Sequence, residues 1–243
     1  SVTIDTAAPA APTGLAFATD SATTGDGLTN DTTPTLSGTA EANATIAILR
    51  DGVQIDTTTA DGAGAWSWTE ASALADGSYS YTATATDTAG NVSVSSSALS
   101  VTVDATAPTI ASVTLPANAT YKIGDTLELR LTFSESVLLA GGTPQLALDI
   151  GGTTRQALYT SGAGTTELVF QYTVQSGDLD ADGIALGSLA LSGATLRDAA
   201  GNDATLTLPA TGSTAGILVD GVAPTISSVA VPADDTYGVG ETL

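Results

Sequence analysis

Residues 127–134 read LELRLTFS, and this short run decides the fold class. Leu127, Leu129, Leu131 and Phe133 alternate with Glu128, Arg130, Thr132 and Ser134. A period of two with one apolar face is the pattern of an antiparallel strand buried on one side. The same alternation recurs at residues 79–86, where Tyr79, Tyr81, Ala83 and Ala85 interleave with Ser80, Thr82, Thr84 and Thr86. Thr-rich outer faces add β propensity. Turn signals separate such runs: Asp51-Gly52, Asp61-Gly62, Asp76-Gly77, Gly141-Gly142 and Gly151-Gly152. No segment carries a helical stripe.

Working outward, the pattern predicts strands near 14–18, 34–40, 45–49, 53–59, 65–69, 78–87 and 92–103. A second set falls near 109–115, 126–135, 144–150, 153–159, 165–175, 184–196 and 203–219. Seven short strands per unit is the count of an immunoglobulin-type β-sandwich. Trp66, Trp68 and Phe17 supply bulk for the first core. Leu74-Ala75-Asp76-Gly77-Ser78-Tyr79 resembles the turn into the penultimate strand, where such folds keep a hydrogen-bonded tyrosine.

Internal repetition sets the boundaries. Residues 106–127, TAPTIASVTLPANATYKIGDTL, match residues 222–243, VAPTISSVAVPADDTYGVGETL, at 13 of 22 positions. A looser junction motif occurs three times, as SVTIDTAAP, SVTVDATAP and ILVDGVAP. Its acids are Asp5, Asp104 and Asp220, so the spacings are 104 − 5 = 99 and 220 − 104 = 116 residues. Each spacing suits one sandwich. The expected organisation is residues 1–5 as the end of a preceding repeat, 6–104 as the first domain, 105–220 as the second, and 221–243 as the first strand of a further repeat. The fold class is thus all-β, with tandem sandwiches arranged end to end. Beginning at Ser1 without Met and stopping inside a pattern, the chain reads as an excerpt of something longer.

Composition removes several functions. The chain has 26 acidic and 5 basic residues, for a formal net charge of −21. Arg50, Lys122, Arg130, Arg155 and Arg197 are scattered, so no basic patch gathers phosphates and nucleic acid is not an expected partner. An anionic membrane surface would repel the chain, and no apolar run is long enough to insert. With no His, Cys or Met, the usual ligands of zinc, copper, haem and iron–sulfur groups are missing. Disulfides and Ser-His or Cys-His catalysis are missing with them. Excess carboxylates repel one another, and hard divalent cations are the ions whose ligand preference suits them.

The run DTTPTLSGTAEANATIAILRDG, followed by GAWSW, LADGSYSYTATATDTAGN and a closing VTVD, resembles the bacterial Ig-like repeat of giant secreted adhesins. These are the calcium-stiffened stalks of type I-secreted, RTX-type and biofilm-associated surface proteins. The resemblance covers the first domain almost entirely. FSESV, LYTSGAGTTELVFQYTV, SGDLDADGI and LRDAAGN in the second domain are similar to another Ig-like repeat of the same protein class. This resemblance implies a serial, rod-like, non-enzymatic role at the bacterial cell surface or in the extracellular space. It also implies calcium at the junctions. Neighbouring repeats of the same chain are the implied partners, with self-association on the cell surface as a further one.

Strand direction alone places the acids. In a seven-strand sandwich the N-terminal linker and the last hairpin loop share one end. The C-terminal linker and the first loop share the other. Asp87 and Asn91, in the D-T-A-G-N loop, should therefore lie beside Asp5. Asp198 and Asn202, in the D-A-A-G-N loop, should lie beside Asp104. Asp20, Asp26, Asn30 and Asp31 of the first loop should approach Asp104 from the other domain, and Glu135 faces the same end. Three segments meeting at one joint can supply the six to eight oxygens of a Ca²⁺ site, although Asp, Gly and Asn also form ordinary turns. A second candidate is Asp178-Leu-Asp180-Ala-Asp182-Gly183-Ile184, the opening of an EF-hand-type loop. Its twelfth position is Leu189 and its flanks are strands, so only a shorter calcium loop or a solvated acidic turn fits. Asp125 and Asp220 would share that end, and position 125 becomes Glu241 in the repeat.

Two further readings stay open here. Trp66 and Trp68, or Tyr79 and Tyr81, could stack on sugar rings if exposed, as in a carbohydrate-binding module. The same acidic repeats also suit a surface-layer or filament subunit.

Overall fold

The computed structural model describes residues 4–18, 20–231, 236, 238–240 and 242. Every regular element in it is a strand. The first sandwich is built from β1 (Thr13–Phe17), β2 (Leu28–Thr29), β3 (Thr35–Thr39), β4 (Thr45–Arg50), β5 (Val53–Thr59), β6 (Ala65–Thr69), β7 (Gly77–Thr86) and β8 (Leu99–Val103). One sheet runs β1-β3-β6 and the other β2-β8-β7-β4-β5. All pairings are antiparallel except β2 with β8, where the chain returns alongside its own last strand. The inward positions are the ones the alternation marks: Leu36, Ile46, Ile48, Tyr81, Ala83, Ala85, Val101 and Val103 are buried.

Trp66 and Trp68 lie in this core, 4% and 8% exposed. The Trp68 indole donates to Asp56 Oδ2 at 2.7 Å, and Tyr79 Oη donates to the Ala75 carbonyl at 2.9 Å. None of these rings forms an open platform for a sugar. Trp66 lies across Gly38 so closely that a Cβ there would sit 2.6 Å from Cζ2 of the indole. Gly38→Ala is therefore expected to force the ring off its site and cost about 1–3 kcal/mol. A fall in denaturant midpoint at unchanged slope would report this, and an unchanged midpoint would refute it.

The second sandwich comprises β9 (Ile110–Thr114), β10 (Ala119–Lys122), β11 (Thr126–Gly141), β12 (Gln145–Ile150), β13 (Thr153–Ser161), β14 (Thr165–Thr173), β15 (Leu179–Asp180), β16 (Ala185–Ala190), β17 (Ala194–Arg197) and β18 (Ile217–Asp220). The larger sheet runs β16-β12-β13-β14-β11-β17, with β9 also on β11. The smaller runs β10-β18-β15. β11 continues past the expected end at 135 to pair with β17, with a register shift between Thr132 and Val137. The core gathers Leu127, Leu129, Leu131, Phe133, Leu146, Leu148, Phe170 and Ile217, among others. It is separate from the first core, whose buried members fall between Leu36 and Val103.

Several expected strands differ. The run at 184–196 breaks into β16 and β17 because Ser192 and Gly193 turn through φ of 51° and 83°. The run at 203–219 is a strand only over Ile217–Asp220, with single bridges at Asp203 and Thr205. Residues 221–231, expected to begin a strand, form none, since no neighbouring sheet pairs with them among the described residues. Glu241 lies outside the described residues.

A buried charge network anchors each sandwich. In the first, Glu70 accepts Arg50 Nη1 at 2.7 Å and Tyr81 Oη at 2.9 Å. In the second, Asp178 Oδ1 accepts Arg155 Nε at 2.8 Å, while Oδ2 accepts Tyr172 Oη at 2.5 Å and the Gln175 N–H at 2.8 Å.

Candidate metal centre

The joint between the sandwiches is built from three short segments. The first is the linker that leaves β8. Asp104 donates its N–H to the Thr29 carbonyl at 2.9 Å, which continues the parallel β2–β8 pairing by one residue. The second is the loop after β17. Asp198 Oδ1 accepts the N–H groups of Gly201 and Asn202 at 2.7 and 2.8 Å, and Oδ2 accepts Asn202 Nδ2 at 2.7 Å. Gly201 has φ of 97°, a conformation that glycine adopts without a Cβ penalty. The third is β11 at its register shift. The Ser134 N–H donates to the Thr109 carbonyl at 2.8 Å, and this holds Glu135 beside the linker.

These segments converge. Carboxylate oxygens of Asp104, Glu135 and Asp198 all lie within 4.8 Å of one another. Asn202 Nδ2 donates to the Asp104 carbonyl at 2.8 Å, so loop and linker are joined directly. The expected pairing recurs at the other end of the first sandwich. Asp87 Oδ1 accepts the Ala89 and Asn91 N–H groups at 2.8 Å, Oδ2 accepts Asn91 Nδ2 at 2.7 Å, and Asn91 Nδ2 reaches the Asp5 carbonyl at 3.3 Å.

The electrostatics of the triad are unfavourable as they stand. Asp198 is 2% exposed. Burial pushes the Asp104 carboxyl above the ordinary carboxylate range, and repulsion from Asp198 and Asp76 adds to it. Burial does the same to Glu135, with repulsion from Asp104, Asp198 and Asp76. No basic side chain relieves this. Arg50, Arg130, Arg155 and Arg197 are paired with Glu70, Glu128 and Glu167, Asp178, and Asp203 respectively. Lys122 stands opposite Asp220 in the β10–β18 ladder, at the far end of the second sandwich. Several hard oxygen donors around one point, with no Lys or Arg paired to them, fit the ligand preference of Ca²⁺.

The other candidate acids are placed differently. Asp20 Oδ2 accepts the Gly25 N–H, Asp26 Oδ1 accepts Leu28 N–H, and Asp31 Oδ1 accepts both the N–H and the hydroxyl of Thr33. Short turns hold Asp26 and Asp31, Asp20 uses only Oδ2 while its Oδ1 is buried without a hydrogen-bond partner, and among the described residues none of the three joins the triad. That loop still reaches the joint through Ser21, whose hydroxyl donates to the Ala200 carbonyl at 2.5 Å.

Among the described residues, the acids at 178–182 form no group of three carboxylates within 4.8 Å of one another. Burial alone would raise the Asp178 carboxyl, but the bonds from Tyr172, Gln175 and Arg155 outweigh it and hold it below the usual range. Asp180 accepts the N–H groups of Gly151, Asp182 and Gly183. Asp182 is exposed. Asp220 caps its own turn by accepting the Val222 N–H at 3.2 Å, and Asp125 accepts the Lys122 N–H at 2.8 Å. These side chains serve turns and a buried ion pair.

Sequence reading missed Asp76. Its Oδ1 accepts the Ala105 N–H at 2.8 Å and its Oδ2 accepts the Thr106 hydroxyl. The Thr106 hydroxyl, then the Ala105 amide, hold the Asp76 carboxyl below its ordinary value. The available signal was the final hairpin. β7 and β8 are antiparallel and Gly77 faces Val103, so the residue before Gly77 must lie beside the residue after Val103.

Comparison with known proteins agrees with this architecture over the first sandwich. Residues 6–105 match the family described as bacterial Ig-like domain. No curated protein matches the chain. Among solved structures it is similar to the fibronectin(III)-like modules of Clostridium thermocellum CbhA, at 14% identity and a TM-score of 0.32 over 86% of this chain and 94% of that one. It is also similar to the human OSCAR ligand-binding domain, at 13% identity and a TM-score of 0.31 over 89% and 98%. A third is the chicken CNTN1 FN1–FN3 domains, at 15% identity and a TM-score of 0.25 over 90% and 70%.

Proposed function

We propose, from the bacterial Ig-like match at residues 6–105 and the acid-lined joint that follows it, that this chain is a non-catalytic spacer. It forms part of the stalk of a large bacterial surface or secreted adhesin, and Ca²⁺ stiffens its joint. The observation that carries the reading is the convergence of Asp104, Glu135 and Asp198 from a linker, a strand and a hairpin loop, with no Lys or Arg paired to them. Asp104, Glu135 and Asp198 would hold the ion. When bound, it would neutralise their repulsion and tie the second sandwich to the linker that leaves the first. Extracellular modules bind Ca²⁺ with dissociation constants on the order of 0.1–1 mM. Such a joint fills outside a cell and empties in cytosol.

The burial of Trp66, Trp68 and Tyr81 supports a spacer over a sugar-binding module. Melting and small-angle scattering in calcium, then in excess chelator, test the reading. Calcium is expected to raise the melting temperature and narrow the spread of particle length. Identical curves in both conditions would leave a spacer that uses no ion.

A further inference from the structure

The linker is held to the first sandwich before any ion is considered: the Asp104 N–H donates to the Thr29 carbonyl, and Asp76 holds the two residues that follow. Asp76 lies in the turn that enters β7, in the domain preceding the joint. Its carboxylate takes the Ala105 N–H and the Thr106 hydroxyl, the two residues that follow Asp104. From the other side, Asn202 Nδ2 donates to the Asp104 carbonyl at 2.8 Å and reaches the Thr106 carbonyl at 3.5 Å. Residues 104–106 are thus clamped from both domains. A second contact runs in parallel, from Ser21 to the Ala200 carbonyl, with Gly201 packed where a Cβ would meet Ala22 and Asn30 at 3.6 and 3.7 Å.

We infer that Asp76 is a positioning residue for the joint: it fixes residues 105–106, and through them the direction in which Asp104 presents its carboxylate. This rests on the calcium reading for its effect on metal affinity, but the clamp itself needs no metal. Groups that orient a ligand through hydrogen bonds typically cost 10–100-fold in metal affinity when removed. The chemistry of Asp76 separates positioning from ligation. In Asp76→Asn the amide oxygen can accept the Ala105 N–H and the amide nitrogen can donate to the Thr106 hydroxyl, so the clamp survives while the charge is lost. In Asp76→Ala both are lost.

The test is calcium titration calorimetry on the whole chain and these two variants, with residual dipolar couplings recorded in chelator. Asp76→Ala is expected to weaken calcium binding roughly tenfold, whereas Asp76→Asn binds within about twofold of the parent chain. In chelator, the couplings of residues 105–106 should fit the alignment frame of the first sandwich in the parent and in Asp76→Asn, and should depart from it in Asp76→Ala. If Asp76→Asn binds as weakly as Asp76→Ala, Asp76 acts by its charge and the inference is overturned. Calcium binding by Asp76→Ala equal to that of the parent overturns it too. If the parent binds no calcium, the calcium reading fails alone. The couplings then decide the clamp, and residues 105–106 of Asp76→Ala that still fit the frame of the first sandwich overturn it.

Discussion

Asp178→Ala is expected to destabilise the second sandwich by about 3 kcal/mol while leaving the first nearly unchanged. Removing one partner of a buried ion pair typically costs about 3–5 kcal/mol, because the other partner is left without compensation. The side chain of Asp178 is fully buried and that of Arg155 is one-third exposed, at 0% and 33%. Arg155 can therefore recover some hydration, which places the cost at the lower end. Tyr172 cannot recover in the same way. It is 6% exposed and would lose the carboxylate that its hydroxyl donates to.

The two cores share no buried residue, so chemical denaturation of the variant should split into two steps. The sign with pH follows from the depressed Asp178 carboxyl. A lowered folded value contributes stability that is present above the unfolded carboxylate value and disappears as pH falls through the folded one. The difference between parent and variant should therefore shrink in acid. A single transition with an unmoved midpoint would show that the pair does not anchor the fold.

Calcium stabilisation is expected to grow as pH rises from the acid range toward neutrality. Asp104 and Glu135 have raised folded values, first through burial and then through mutual repulsion with Asp198 and Asp76. A raised carboxyl holds its proton more tightly in the folded state than in the unfolded one. Without metal, its contribution is therefore most favourable below the ordinary carboxylate value. That contribution is lost as pH climbs through the interval up to the raised value. On the calcium reading, protons and Ca²⁺ would compete for the same oxygens, so the ion's benefit is expected to be largest above that interval.

At a free calcium concentration about 100 times the dissociation constant, linkage gives about 2.7 kcal/mol. Subtracting melts in chelator from melts in calcium, at each pH, cancels the opposite trend from Asp178. A difference independent of pH would mean that calcium acts away from Asp104 and Glu135.

Much of this was legible in the alternation of side chains. Leu127 to Phe133 and Tyr81 to Ala85 fixed their strands because a period of two, facing a core, admits one register. The pairing of the D-x-x-G-N loops with Asp5 and Asp104 followed from strand direction alone, and the Asn91 and Asn202 bonds realise it.

Local pattern failed where a partner lies far along the chain. Asp178 resembled a metal loop because Arg155 and Tyr172, on other strands, are invisible in a window of seven residues. β10 escaped notice because four residues in parallel with β18 carry too little alternation to register. The run at 92–103 shrank to Leu99–Val103. Before it, the hydroxyls of Ser93 and Ser96 take the Ala85 and Ala83 N–H groups, and the segment follows β7 irregularly.

The most direct measurement is a calcium titration of the chain beside the variant Asp104→Asn/Glu135→Gln/Asp198→Asn, in which three carboxylates become amides of the same shape. The parent is expected to show an equivalent of binding that the variant lacks, together with a calcium-dependent rise in melting temperature that the variant has lost. Equal isotherms for the two proteins would contradict the joint as the place where calcium acts.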